Sequence, residues 1–222
     1  MAATSSAARG GIDGLVGGAG DDRLEGGGGN DILYIDAGND ELRGGNGIDT
    51  ADFLFATESA VADLTSGTVS GGLSVGSDRL FGIENLYGTR FGDLLAGNGG
   101  ANVLTGAQGG DVLIGRGGAD KFNYNNTDDS YPKDQADLID DFSRTQGDKI
   151  DLATIDAKVH ATGNQAFTFI GQAQFTGEGQ VRSFQQNGDT FFEANTDNAV
   201  PGADMVVVLD PLVSLQKTDF VL

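Results

Sequence analysis

Eight aspartates carry the chemistry open to this chain. Asp13, Asp22, Asp31, Asp40 and Asp49 fall nine residues apart, and Asp93, Asp111 and Asp120 resume the interval with Asn102 in the one missing place. A lone carboxylate is a candidate acid or base, but carboxylates at a fixed period become a cation-binding surface once the fold stacks them. Two such groups ~4 Å apart repel by ~4 kcal/mol at an effective dielectric of ~20, and a divalent ion between them reverses the sign. The donors must be oxygen, because the chain has no cysteine and a single histidine, His160. Hard oxygen donors on flexible loops select Ca2+ over Mg2+, whose octahedron is stricter.

The elements that position these groups follow from the residues around them. The nonapeptide runs are 8–16, 17–25, 26–34, 35–43 and 44–52, then 88–96, 97–105, 106–114 and 115–123, with consensus G-G-x-G-x-D-x-U-x and U apolar. Glycines in the first, second and fourth slots are expected to permit φ > 0 and to expose carbonyl oxygens to the ion. Those assigned to the sites are Gly11, Gly18, Gly20, Gly27, Gly29, Gly38, Gly45, Gly47, Gly109 and Gly118. The aspartate closes the loop, and the last three slots form a strand whose middle residue alone faces inward. Leu15, Leu24, Leu33, Leu42, Ala51, Leu95, Leu104, Leu113 and Phe122 are therefore the expected core.

Two repeats make one 18-residue turn of a right-handed parallel β-roll, an all-β fold in which each repeat stacks on the next but one. That pairing joins Asp13 to Asp31, Asp31 to Asp49, Asp22 to Asp40 and Asp93 to Asp111, enough for roughly three to five ions. It also sets Arg23 beside Glu41 and Glu25 beside Arg43, opposite charges that report the register. Val16, Ile32 and Tyr34 fall on the outward face of the other sheet, which another part of the chain is expected to cover. The second block departs from the consensus at Phe91 and Asn102, so any site pairing Asn102 with Asp120 should bind weakly or not at all.

Residues 53–87 interrupt the blocks, with β-like stretches at 60–64 and 68–70 and an apolar Leu80, Ile83, Leu86 series. This insert lacks the aspartate phase and is expected to continue the roll as metal-free rungs or a hairpin. Residues 124–136 read as a polar loop, and 137–222 as a β-rich cap with strands at 166–170, 180–184, 190–194 and 205–209. Of 37 glycines, 30 precede residue 124, so composition also divides the chain there.

A formal charge of −20, from 33 acidic and 13 basic residues, disfavours nucleic acid and anionic membrane as partners. Without cations that charge opposes compaction, and the repeat region is expected to be unfolded in their absence. No apolar run approaches the ~20 residues of a spanning helix, so no stable membrane insertion is expected, and the first nine residues lack the apolar core of a cleavable export signal. We expect a monomer.

The nonapeptides resemble those of the RTX, or haemolysin-type, calcium-binding proteins. Beyond them, Asp137-Leu-Ile-Asp-Asp-Phe142 followed by Gly147-Asp-Lys-Ile-Asp-Leu152 resembles the start of the C-terminal domain of serralysin-type metalloproteases. Phe167-Thr-Phe-Ile-Gly171, Gly188-Asp-Thr190, Ala203-Asp-Met205 and Thr218-Asp-Phe-Val-Leu222 fit the same domain. The resemblance implies secretion by a Gram-negative bacterium through type I machinery: an ABC transporter, an adaptor and an outer-membrane channel. It implies an uncleaved signal at Asp219-Phe-Val-Leu222, whose deletion should abolish export while leaving folding largely intact. One histidine cannot build the H-E-x-x-H zinc site of the proteases. The expected function is therefore calcium binding by a non-catalytic secreted module. The alternatives are the C-terminal part of a larger exoenzyme (protease, lipase or alginate epimerase) or an adhesin or polysaccharide-binding module.

Overall fold

A computed structural model describes residues 5–8, 10–130, 135–197, 202–210 and 212–222, and the expected loop at 124–136 lies partly outside them. The described strands form a 13-stranded and an 8-stranded sheet. In the repeats both sheets grow by parallel addition at intervals of 18 residues: Leu24 opposes Leu42 in the large sheet, and Leu15 opposes Leu33 and then Ala51 in the small one. A three-residue strand buries only its central side chain. Leu24, Leu33, Leu42, Ala51, Leu95, Leu104, Leu113 and Phe122 are accordingly at most 1% exposed, and Leu15, on the terminal rung, 4%. The molecule is the parallel β-roll that the nonapeptide period demands.

The charged check on register holds at the backbone and shifts at the side chains. Arg23 opposes Glu41 and Glu25 opposes Arg43. Yet Glu41 takes both arginines, at 2.7 Å from Arg43 and 3.7 Å from Arg23, while Arg23 also reaches Glu25 at 3.5 Å. The expected Glu25–Arg43 pair gives way because Arg43 lies over the Phe81 ring, 4.4 Å from its centroid. Such exposed pairs contribute ~0.2–1 kcal/mol each, so the exchange costs little.

The insert enters both sheets. Asn85–Tyr87 adds a parallel rung to the small sheet, with Leu86 between Ala51 and Leu104. In the large sheet Ala60–Asp63, Thr68–Gly71 and Ser77–Phe81 form an antiparallel meander between the two repeat blocks. Its outer strands pair in parallel with the repeats, Leu80 on Leu42 and Ala62 on Leu95. Asp63 ties the meander to the second block through Arg116, whose Nη1 and Nη2 donate to its two oxygens at 2.7 and 2.6 Å.

Cover over the small sheet is partial. Phe55 of the insert packs on Tyr34 with ring centroids 5.2 Å apart, but Val16 remains 51% exposed. The expectation of a covered face is thus met at Tyr34 and fails at Val16. Val16 lies on the edge strand Gly14–Val16 at the end of the stack, where no further rung covers it.

Residues 137–222 extend the same two sheets. Asp137–Ile139 stacks on the second block, Met205–Leu209 stacks on it in turn, the hairpin of Asp189–Asn195 with Gln180–Gln186 follows, and Thr168–Phe169 forms the edge in parallel with Gln180–Gln186. Asn187 and Gly188 make its two-residue turn with φ of 57° and 104°, the left-handed pair that suits a twisted hairpin. In the small sheet Lys149–Asp151 follows Lys121–Asn123, and Phe220–Val221 is the last strand. His160 is exposed, with Nδ1 3.1 Å from Oε2 of Glu178.

Two second slots hold non-glycine residues in the left-handed region, Ala107 at φ 65° and Arg116 at φ 69°. A left-handed L-residue costs ~1–2 kcal/mol, part of which glycine returns through unfolded-state entropy. Ala107→Gly should therefore stabilise the calcium-loaded protein by ~0.5 kcal/mol, read as a higher urea midpoint; an unchanged or lower midpoint contradicts the assignment. Arg116→Gly should not gain, because it breaks the pair with Asp63.

Candidate metal centre

The aspartates stack into columns held by one recurring hydrogen bond. The backbone N–H of each donates to a side-chain oxygen of the aspartate one turn further on: Asp13 to Asp31 at 2.9 Å, Asp31 to Asp49 at 2.8 Å, Asp22 to Asp40 at 2.8 Å and Asp93 to Asp111 at 2.7 Å. Asn102 donates in the same way to Asp120 at 2.8 Å. Every expected pair is brought together. One oxygen of each partner thus serves the roll, and the other is left over. In Asp31, Asp49, Asp111 and Asp120 that Oδ2 is buried with no hydrogen-bond partner.

Buried carboxylate oxygens without donors are costly, and such groups shift towards the neutral form unless a cation arrives. Burial pushes Asp40 and Asp120 up to about 6 and Asp111 up to about 9, with Asp137 adding to Asp111 by repulsion. Burial raises Asp49 and Asp93 as well. A Ca2+ ion would supply what the Oδ2 atoms lack. Among the described residues no three acidic or histidine side chains converge on one point.

The glycines divide into two jobs. Gly29, at φ 119°, lies so close to the Gly11 carbonyl that a Cβ could not be placed. The second- and fourth-slot glycines Gly18, Gly20, Gly27, Gly45 and Gly47 share its positive φ, as do Gly11, Gly109 and Gly118. First-slot glycines do not, which corrects the expectation for that slot. There the need is for space, since a Cβ on Gly44 would collide with Oδ2 of Asp49 in its own loop. Gly38 likewise has no positive φ and is required by the close Gly20 carbonyl.

The second block is altered where the consensus breaks. Thr89 donates its N–H to Oδ2 of Asp93 at 2.6 Å and its hydroxyl to Oδ1 at 3.0 Å, so the loop engages that carboxylate itself. Phe91 donates to the Thr89 hydroxyl at 2.9 Å, a turn that dispenses with the fourth-slot glycine. At Asn102 the side-chain amide donates to the Glu84 carbonyl at 2.7 Å.

Sequence reading stopped the columns too early. Asp49 donates to Glu84 and Asp40 to Asp78, at 2.9 and 2.8 Å, so the insert does supply carboxylates in phase. Asp111 donates to Asp137 and Asp120 to Asp148, both at 2.9 Å. Asp78 was legible, since Gly76-Ser-Asp78-Arg-Leu80-Phe81 repeats the last six slots of the consensus. Asp137 and Asp148 were not, because they stand 26 and 28 residues from their partners instead of 18.

Parallel strands two repeats apart and columns of paired aspartates define the calcium-binding β-roll class. The family model of the RTX calcium-binding nonapeptide repeat matches residues 8–42 and 16–51. That of the peptidase M10 serralysin C-terminal region matches residues 43–222, and the chain belongs to this family. No curated protein matches the chain. Among solved structures it is similar to the AlgE6R3 subunit of the Azotobacter vinelandii mannuronan C5-epimerase, at 22% identity over 95% of this chain and 77% of that one, with a TM-score of 0.32. It is also similar to the extracellular lipase LipA of Serratia marcescens, at 17% identity over 96% of this chain and 40% of that one, with a TM-score of 0.33.

Proposed function

We propose that the chain is a secreted, non-catalytic calcium module whose roll folds when Ca2+ fills the aspartate columns. The ligands are the paired carboxylates Asp13, Asp22, Asp31, Asp40, Asp49, Asp93, Asp111 and Asp120 with the carbonyls of their loops, holding three to five ions. Glu84, Asp137 and Asp148 lengthen three of the columns. The observation that carries this reading is the buried, partnerless Oδ2 of Asp31, Asp49, Asp111 and Asp120. A ligand that binds only the folded form stabilises it by RT ln(1 + [L]/Kd), so Ca2+ at extracellular levels drives folding that the cytosol does not. An unfolded chain can thread a type I channel, with Asp219–Leu222 as its signal. Circular dichroism during calcium titration tests the folding claim: β signal should rise from a largely unfolded baseline in EGTA. Full β signal in EGTA, unchanged by calcium, would refute it.

Column geometry makes a finer prediction. Asp31 lies between Asp13 and Asp49 and serves two pairs, whereas Asp13, at the end of its column, serves one. Asp31→Ala should raise the calcium midpoint for folding several-fold more than Asp13→Ala. Equal effects would contradict stacking as the source of the sites.

A second reading makes this chain the C-terminal part of a larger exoenzyme. It is favoured by the family match itself, which is to a C-terminal region. The mass of the native secreted protein, detected with an antibody to this region, separates the two.

A further inference from the structure

The meander of the insert carries a half-repeat, and its end is built like a repeat loop. Gly76 has φ 82° and lies so close to the Gly38 carbonyl that no Cβ could be placed, the same approach that Gly47 makes to Gly29. The N–H of Ser77 donates to Oδ1 of Asn39 at 3.2 Å, as that of Ile48 does to Oδ1 of Asn30 at 3.0 Å. Leu80 then enters the core over Leu42. Residues 76–81 thus reproduce slots four to nine, stacked on the repeat 35–43 across 38 residues of sequence instead of 18.

Asp78 stands in the aspartate slot of this half-repeat. It is 2% exposed, its Oδ1 accepts the Asp40 N–H at 2.8 Å, and its Oδ2 is buried without a partner. Asp36 borders the same loops: its Oδ2 accepts the Gly18 N–H at 2.9 Å, and its Oδ1 is likewise buried and partnerless. We propose that Asp40 and Asp78, with carbonyls of the loops at 38–40 and 76–78, form a further Ca2+ site that joins the insert to the first repeat block. The inference rests on the reading of the columns as calcium sites. It adds that the insert is metal-linked, so one ion clamps the meander onto the repeats.

Calcium counted per folded chain, by native mass spectrometry at saturating Ca2+, tests the site. Asp78→Asn keeps the oxygen that accepts the Asp40 N–H and removes the charge, and Asn102 shows that the slot accommodates an amide. The variant should fold at saturating calcium and hold one ion fewer than wild type; an equal count overturns the proposal. Should Asp78→Asn stay unfolded, Ser77→Lys decides. Ser77 is exposed, so the substitution leaves packing intact and sets a cation beside the site. It should weaken one ion about tenfold and spare the rest, whereas a wild-type titration curve overturns the proposal. Wild-type protein that binds no calcium would instead defeat the underlying reading of the columns.

Discussion

In EGTA at pH 8 the roll is expected to be largely unfolded, and acidification to pH 5 should restore much of its β signal without any metal. The column carboxyls have raised pKa values in the fold, burial being the main cause: about 6 for Asp40 and Asp120, about 7 for Asp78 and about 9 for Asp111. A folded carboxyl raised above its unfolded value binds protons that the unfolded chain has already released. Stability from such groups is fully present below the ordinary carboxylate range near 4 and is lost as pH rises through about 6 to 9. A folded carboxyl whose pKa is raised by about two units destabilises the ionised fold by at most about 3 kcal/mol, and by less where solvent screens it. Several at once rival the 5–15 kcal/mol that stabilises a typical domain. At pH 5 these groups are largely protonated in the fold and much of the penalty is relieved, the remainder lifting only towards pH 4. Asp63 sets the lower bound, because the Arg116 guanidinium holds it down at about 2 and that contribution fades as pH falls towards 2. Since Ca2+ must displace those protons, its half-saturating concentration should also rise between pH 8 and pH 5. Circular dichroism in EGTA at both pH values, away from the isoelectric point near 4.1, checks the claim. No recovery at pH 5 would mean that carboxylate repulsion is not what calcium relieves.

Much of this was legible because a strict period leaves few choices. With one aspartate phase and one inward residue per repeat, the 18-residue register, the nine core positions and the aspartate pairs all follow, and Leu24 on Leu42 or Asp13 on Asp31 needed no tertiary information. Legibility ended where the period did. The insert changes from parallel to antiparallel pairing at Thr68–Gly71, which short β-like runs cannot announce. Asp137 and Asp148 reach their columns through connections of irregular length, so only the folded backbone aligns them with Asp111 and Asp120. Self-capping by Thr89 was likewise invisible, because a threonine in the second slot signals nothing until its hydroxyl and the Asp93 carboxylate are seen to face each other.

Removing Asp219–Leu222 should lower the melting temperature of the calcium-loaded protein by about 10 °C, against the expectation that folding survives this deletion. In the fold these residues are no loose tail. Phe220 and Val221 pair with Ile150 and Asp151 as the last strand of the small sheet. Phe220 is 7% exposed, with its ring edge-on to Phe192 at 5.7 Å and against Phe169 at 5.3 Å. Asp219 is 3% exposed, accepts from Nε of Arg144 at 2.9 Å and caps its own turn through the Gln216 N–H at 2.7 Å. Loss of a buried phenylalanine costs ~3–5 kcal/mol, and the deletion also bares Ile150 and Leu152. Calcium binding by the first block should survive, since Asp13 to Asp49 lie at the other end of the stack. Differential scanning calorimetry at saturating calcium measures the effect, and Phe220→Ala should reproduce most of it. A truncated chain melting within a degree or two of wild type would show that the terminal strand contributes nothing. Truncation thus changes the fold as well as the proposed signal. Because Leu222 also packs on the core, an export defect identifies a signal only in a terminal variant whose melting temperature matches wild type.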